Sequence, residues 1–334
     1  MILYDFSKGK AGPLPVPPEI SLLNHRIVGR MSQYLFLNSI VGKMAGFILC
    51  NRSTSFLLHA LRLSKLINKQ VDTTYSACGY RSLNAAFTHR YDNPIYPCGI
   101  SDAEKEKFIT SPVSAYLSIR DIEAGSVTFF PGVKISISRM LGAEDRRFSS
   151  GKLFVFTLKP HHDHTIDFPT GSAILSGPLE ISKTKFRVDS TDLNYIRSNA
   201  RQSVMDENHR VASILHSQRF DETYAMVEVG ANIVNSIEQD YDEKSTVQER
   251  GSQKAHFNFG STVILAIPDT FMAKVRVIRD IYDRASQFDG ACEITRGTAI
   301  MYDRSVDNGT YSVSDGVRLH LASDGHGNNE VIER

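Results

Sequence analysis

Apolar and polar positions change rhythm near residue 111. Upstream, apolar residues recur three or four apart: Ile27, Met31, Tyr34 and Leu35, then Ile40, Met44, Phe47 and Ile48, then Leu57, Leu58 and Leu61. That is the period of an amphipathic helix. It predicts helices across 21–70 and a short one over 83–90, before Asn93-Pro94 and Tyr96-Pro97 break the pattern. Downstream, short apolar runs alternate with Gly, Pro and Asp turns. They predict strands over 115–122, 126–130, 153–158, 173–181, 211–217, 225–229, 255–267, 275–278 and 294–302. Many short strands after a helical stretch indicate an α+β protein: an N-terminal helical region, then a mainly antiparallel, β-sandwich-like domain. The expected boundaries are a Pro-rich extended arm over 1–20, the helical region over 21–100 and the β-rich domain over 101–334.

Composition fits a globular protein, with 41% hydrophobic and 22% charged residues, and 334 residues can bury a sizeable core. The overall charge of +1 hides an asymmetry. Residues 1–70 hold nine Lys or Arg against Asp5 and Glu19, so this part carries +7 and the remainder −6. Gln33, Asn38, Lys43 and Asn51 interrupt the apolar pattern before it reaches the ~18 residues of a membrane span. A basic amphipathic region can instead lie on an anionic membrane surface, or pack on a neighbouring domain with its charges in water. The four cysteines, Cys50, Cys78, Cys98 and Cys292, form no CxxC pair and fit buried thiols in a reducing compartment. The first residues lack a basic segment leading into an apolar secretory core. The expected location is therefore the cytoplasm, and contact at the inner membrane face is one of the two roles open to the basic region. No basic stripe interleaved with aromatics points to nucleic acid.

Candidate chemistry gathers at two places. His161-His162-Asp163-His164 offers metal-ligand types, but alternation along a strand would put only His162 and His164 on one face, so no metal is expected. Phe257-Asn258-Phe259-Gly260-Ser261-Thr262-Val263 places Gly-Ser-Thr at the head of an apolar run.

The order and spacing of several segments resemble the phosphatidylserine decarboxylase family over nearly the whole chain. The segment 83–90 resembles its "FxxFFxR", and Ser111-Pro112-Val113-Ser114-Ala115 its "SPxDG". Residues 132–142 resemble "KGxxYSLxxLLG", and 158–169 "LxPxDYHRxHxP". Asn208-His209-Arg210-Val211 resembles "NERV". Residues 226–237, with Gly230, Ala231 and Ser236, resemble "VxVGAxxVGSI". The resemblance implies cleavage between Gly260 and Ser261, giving a β chain to residue 260 and an α chain of 261–334. Ser261 would become a pyruvoyl cofactor, the electron sink for an amino-acid decarboxylation. The hydroxyl of Ser261 would attack the Gly260 carbonyl, and a Gly leaves room for the bend that this needs.

The family's carboxylate and second histidine of the processing triad fall on Ser114 and Asp167, while His164 is kept as the catalytic acid. Asp167 could act as a base if burial raises its pKa, or His161, His162 or His256 could supply the imidazole. Gly230, Ala231 and His162 are expected around the substrate. The implied reaction converts phosphatidylserine to phosphatidylethanolamine, with a homodimer as the expected assembly. Three alternatives stand beside it. One is a decarboxylase of a soluble, tryptophan-like amino acid. Another, suggested by Ser114 and Asp167, is an unprocessed homologue with a binding role. The third is a metal enzyme built on His161–His164.

Overall fold

The structure is a computed structural model. It describes residues 2–5, 10–13, 88, 105–305, 310–312 and 318–320, leaving out 131–132, 159–161, 182–204, 206–207, 231–235, 243–244, 259–261 and 288–289. The expected helices over 21–70 and 83–90 lie outside the described residues, apart from Thr88 in a turn.

The described strands are β1 (Ile2–Asp5), β2 (Lys10–Pro13), β3 (Phe108–Thr110), β4 (Ala115–Ile122), β5 (Ser126–Phe130), β6 (Val133–Ser136), β7 (Gly151–Thr157), β8 (Thr165–Asp167), β9 (Ser172–Ile181) and β10 (Arg210–Ser217). They continue as β11 (Glu222–Val229), β12 (Ser236–Gln239), β13 (Gln253–Asn258), β14 (Thr262–Pro268), β15 (Val275–Val277), β16 (Gly290–Ile294), β17 (Ala299–Asp303), β18 (Thr310–Ser312) and β19 (Arg318–His320). Three short α-helices accompany them among the described residues: α1 (Ile137–Leu141), α2 (Asp269–Met272) and α3 (Arg279–Ala285). The expected β-rich, mainly antiparallel domain is therefore present.

Nine strands form the central sheet in the order β2-β1-β16-β4-β7-β14-β11-β10-β9. Every neighbouring pair is antiparallel except β1 with β16. Part of the expected N-terminal arm is thus strand paired onto this sheet. A tight hairpin joins β4 to β5 through Ala124 and Gly125, both at positive φ. Two positive-φ residues match the right-handed strand twist, and Gly125 adopts that conformation without strain.

Side-chain alternation explains why the sheet is covered on both faces. On β14, Val263, Leu265 and Ile267 join the larger core with Leu117, Phe154, Phe156 and Met226. Ile264 and Ala266 join a second core with Leu153, Val155, Val227, Val127 and Met140. The first face is covered by the sheet β12-β13-β8, the sheet β15-β17-β3 and α3. The β5-β6 hairpin and α1 cover the second.

Two expected strands are each broken in two. The run over 255–267 separates into β13 and β14, which belong to different sheets. Apolar content alone did not mark this break; Asn258 and Gly260 were its local signals. The run over 294–302 contains a turn, closed by Thr298 N–H donating to the Thr295 carbonyl, with Gly297 at φ +80°. That turn carries Arg296 between β16 and β17. Strands β3, β6, β8 and β12 are too short to have stood out as periodic patterns.

Candidate functional site

One end of the central sheet presents a row of residues in register. Glu293 pairs with Tyr116, Tyr116 with Thr157, Thr157 with Thr262, Thr262 with Val229, and Val229 with Arg210. Directly paired residues share a face. Thr262, buried at 1% exposure, therefore starts a central strand between β7 and β11. Residue 261 is joined to it, although Gly260, Ser261, His161 and Ala231 lie outside the described residues. Gly230 follows the Val229 flank. Its N–H donates to the His209 carbonyl, and its own carbonyl accepts from Asn208 Nδ2.

The other flank, β7, leads into the loop that carries His162, Asp163 and His164. These three precede β8 in bend and coil, so the strand-face argument for His162 and His164 does not hold; their places are set by hydrogen bonds. The His162 ring is buried, stands edge-on to Tyr116 with centroids 4.9 Å apart, and brings Nε2 to 3.3 Å from Glu293 Oε1. His164 places Nδ1 2.8 Å from the His162 carbonyl. A carbonyl only accepts, so Nδ1 carries the proton and the neutral ring has its lone pair on Nε2. The His164 carbonyl in turn accepts from Phe257 N–H, which ties this loop to β13 just ahead of the 259–261 segment.

A buried charge cluster supports the loop. Arg296 donates from Nε to Asp163 Oδ2 at 3.0 Å and from Nη1 to Asp167 Oδ2 at 2.6 Å. Its backbone N–H donates to Ser114 Oγ at 3.0 Å. Asp163 uses its other oxygen to accept from both the N–H and hydroxyl of Thr165. Thus Ser114 and Asp167 are brought together, but through Arg296. Asp167 is a charge-paired carboxylate, whereas the base reading needed one set apart by burial. Nor is His256 poised as a replacement imidazole: it bonds Asp240 at 2.7 Å on the more open side of β13, which raises its pKa.

Sequence reasoning passed over Arg296, Glu293 and Tyr116. The one available hint was an Arg-Gly pair inside an otherwise apolar run, since a charge there needs a partner. Among the described residues, no group of three His, Cys, Asp or Glu is placed to hold a metal ion. No helix among them is long and apolar enough to cross a membrane. Cys292 is a buried thiol, while the other three cysteines lie outside the described residues. A polar cleft of about 330 Å³ lies towards the opposite end of β4 and β7, lined by Arg120, Lys134 and Lys152 among others.

A second buried ion pair lies one layer below the row. Glu228 faces the larger core beside Val263, its cross-strand partner, and accepts from Lys254 Nζ at 2.7 Å. Lys254 reaches it because β13 carries a bulge opposite β8, where Gln253 and Ala255 pair with consecutive residues and Lys254 is the extra one. A bulge re-aims a side chain that simple alternation would turn away. Burial pushes the Glu228 carboxyl above its usual range, with the Lys254 ammonium opposing.

Comparison with known proteins gives a consistent result. A family model described as phosphatidylserine decarboxylase matches residues 83–286. The phosphatidylserine decarboxylase proenzyme of Bacillus thuringiensis (strain Al Hakam) is 26% identical over 254 residues, which covers 75% of this chain and 88% of that protein. The proenzyme of the same name from Bacillus cereus (strain 03BB102) matches with the same identity and coverage.

Proposed function

The chain belongs to the phosphatidylserine decarboxylase family, and we propose that it is a precursor that cleaves itself between Gly260 and Ser261 and then converts phosphatidylserine to phosphatidylethanolamine. The observation that carries this reading is the setting of Thr262. It opens a buried central strand, flanked on one side by the strand that feeds the His162–His164 loop and on the other by the strand that ends at Gly230.

In the cleavage step the Ser261 hydroxyl attacks the Gly260 carbonyl carbon. A C–O bond forms, the Gly260–Ser261 C–N bond breaks, and the hydroxyl proton passes through a base to the freed amine. Loss of the Ser261 α-proton then expels the residue-260 carboxylate, leaving a dehydroalanine. Tautomerisation and addition of water release ammonia and leave a ketone. The residues present fit such a group. It would be anchored through the backbone leading into Thr262, which is held between β7 and β11.

The pyruvoyl group supplies the electron sink for the charge left when carbon dioxide departs. This chain's own residues do the rest. Thr262 fixes the attachment point by its pairing with Thr157 and Val229. His164, oriented through Nδ1 by the His162 carbonyl, turns its Nε2 to the proton transfer. The Arg296 cluster holds the loop from beneath. If the chain is cut, Arg296 sits on the 261–334 fragment and its carboxylate partners on the other, so the pair joins the two fragments. The +7 charge of residues 1–70 suits contact with an anionic lipid surface, where the substrate resides.

Intact mass of the denatured protein tests the reading. The expected result is two fragments, the smaller starting at residue 261 with a blocked terminus, and one uncut chain for Ser261→Ala. An active wild-type protein that stays in one piece overturns it. The engaged state of Asp167 would then favour the unprocessed, binding homologue.

A further inference from the structure

We propose that Asn208 is a positioning residue for substrate binding: with Arg210 behind it, it sets the backbone at Gly230, where the chain leaves β11 beside the head of β14. This rests on the reading above, with substrate bound beside Gly230.

The ladder between β10 and β11 ends with Arg210 opposite Val229, and Val229 is also the partner of Thr262. Gly230 is the first residue past that row. Both of its backbone polar groups are held by one short segment. Its N–H donates to the His209 carbonyl at 2.9 Å, and its carbonyl accepts from Asn208 Nδ2 at 2.9 Å. A carbonyl's direction sets the plane of its peptide bond, so Asn208 fixes the peptide plane at which the chain leaves the strand. An amide suits this task. Its nitrogen donates to the carbonyl, whereas an aspartate would offer acceptors alone.

Asn208 is itself locked in place. It is wholly buried, and its backbone carbonyl accepts from Arg210 Nη1 at 2.9 Å. The same guanidinium donates from Nε to the Met140 carbonyl at 2.9 Å and from Nη2 to the Arg139 carbonyl. Those carbonyls belong to the last turn of α1, where a helix ends in acceptors and its dipole favours a cation. Arg210 is buried too, and a planar fork holding three carbonyls has its orientation set. Met140 and Leu141 anchor α1 in the second core. A line of hydrogen bonds therefore runs from that core through Arg210 and Asn208 to Gly230. Asn208 acts through Gly230, so its loss should weaken substrate binding and leave the chemical step alone.

The test compares purified full-length wild type with Asn208→Ala and Asn208→Ser. Intact mass should show the same cleavage at Gly260-Ser261 in all three. Rates on mixed micelles containing phosphatidylserine should then give a KM raised about tenfold with kcat within about twofold of wild type, the scale of one lost hydrogen bond. Calorimetric titration with dihexanoyl phosphatidylethanolamine, the expected product, should give a Kd raised by the same factor. A merely structural role would lower the denaturant midpoint and leave KM and Kd unchanged, and that result overturns the proposal. A fall in kcat at unchanged KM overturns it as well. Folded variants that stay uncut also overturn it, because Asn208 would then serve the cleavage instead. If both variants fail to fold, the wild-type protein decides: the Asn208 side-chain amide signals in its NMR spectrum should shift when the short-chain lipid is added, and unmoved signals overturn the proposal. A wild-type chain that never cleaves overturns the cleavage reading and this proposal with it. A cut, active wild type with unchanged KM in both variants overturns only the role of Asn208.

Discussion

Two buried ion-pair clusters are placed differently about the Gly260-Ser261 bond: one lies wholly before it, and the other spans it. Glu228, Lys254 and Gln239 all precede it. Their side chains meet between the central sheet and the sheet β12-β13-β8, with Lys254 Nζ 2.7 Å from both partner oxygens and 5.9 Å from the Tyr241 ring centre. Arg296 follows the bond, and its partners Asp163 and Asp167 precede it. The first cluster joins two layers within the segment before that bond; the second ties the β16–β17 turn after the bond to the His162–His164 loop and β8 before it. They also differ in charge. Lys254 meets one carboxylate, whereas Arg296 separates two, so the loss of Arg296 leaves more uncompensated charge behind.

The largest effect should therefore come from Arg296→Met. It leaves Asp163 and Asp167 buried without their shared cation. Removing one partner of a buried pair costs about 3–5 kcal/mol, and two stranded carboxylates put this variant at the upper end. Denaturant midpoints would measure it. Adding Asp167→Asn to Arg296→Met should recover part of the loss, because one buried charge is gone. If Arg296→Met matches wild type, the cluster does not bear on folding, and its bracing role falls with it.

Lys254→Met should cost somewhat less, about 3 kcal/mol, since a single carboxylate is stranded. Lys254→Met with Glu228→Leu should return to within about 1 kcal/mol of wild type or exceed it, because apolar residues of similar volume often replace a buried pair without loss. The pH dependence sharpens the contrast. The Glu228 carboxyl has its pKa raised by burial, so the folded chain keeps that proton to higher pH than the unfolded chain does. Stability attributable to Glu228 therefore falls as pH rises from about 4.5 to the raised value, then levels off. Without Lys254 that falling stretch should extend to higher pH, and in the double variant it should vanish. An unchanged pH profile in Lys254→Met would mean that the ammonium does not oppose ionisation there.

These two clusters also mark where sequence reading stopped. Strand positions such as 115–122 and 126–130 were legible because short apolar runs between turn residues leave a local pattern. The Gly-Ser-Thr motif and the His162–His164 segment were legible as chemistry. The ties between distant segments were not. Arg296 is 129 positions from Asp167, and His162 is 131 from Glu293. Nothing local says that a turn inside an apolar run will meet a loop from the other half of the chain. Lys254 was equally hidden, because simple alternation groups it with His256; the bulge that separates them depends on the register of β8 against β13.

That separation gives the smallest and most specific prediction. Lys254 and His256 lie two apart on β13, yet Lys254 is fully buried and the His256 side chain is 19% exposed beside Asp240 and Glu238. The Asp240 hydrogen bond is the main cause of the raised His256 pKa, and burial opposes it. The sign is opposite to that of Glu228 in origin, because here the charged form is the one favoured. The contribution is fully present below the ordinary histidine value of 6.5 and is lost as pH rises through the raised folded value. Partial exposure keeps it small, below about 1 kcal/mol. His256→Gln should therefore lower stability slightly at pH 5.5 and leave it unchanged at pH 9, while 1 M salt should shrink the difference by screening. A loss of the same size at both pH values would mean that His256 contributes by packing alone, and that only the inward side of β13 carries an electrostatic tie.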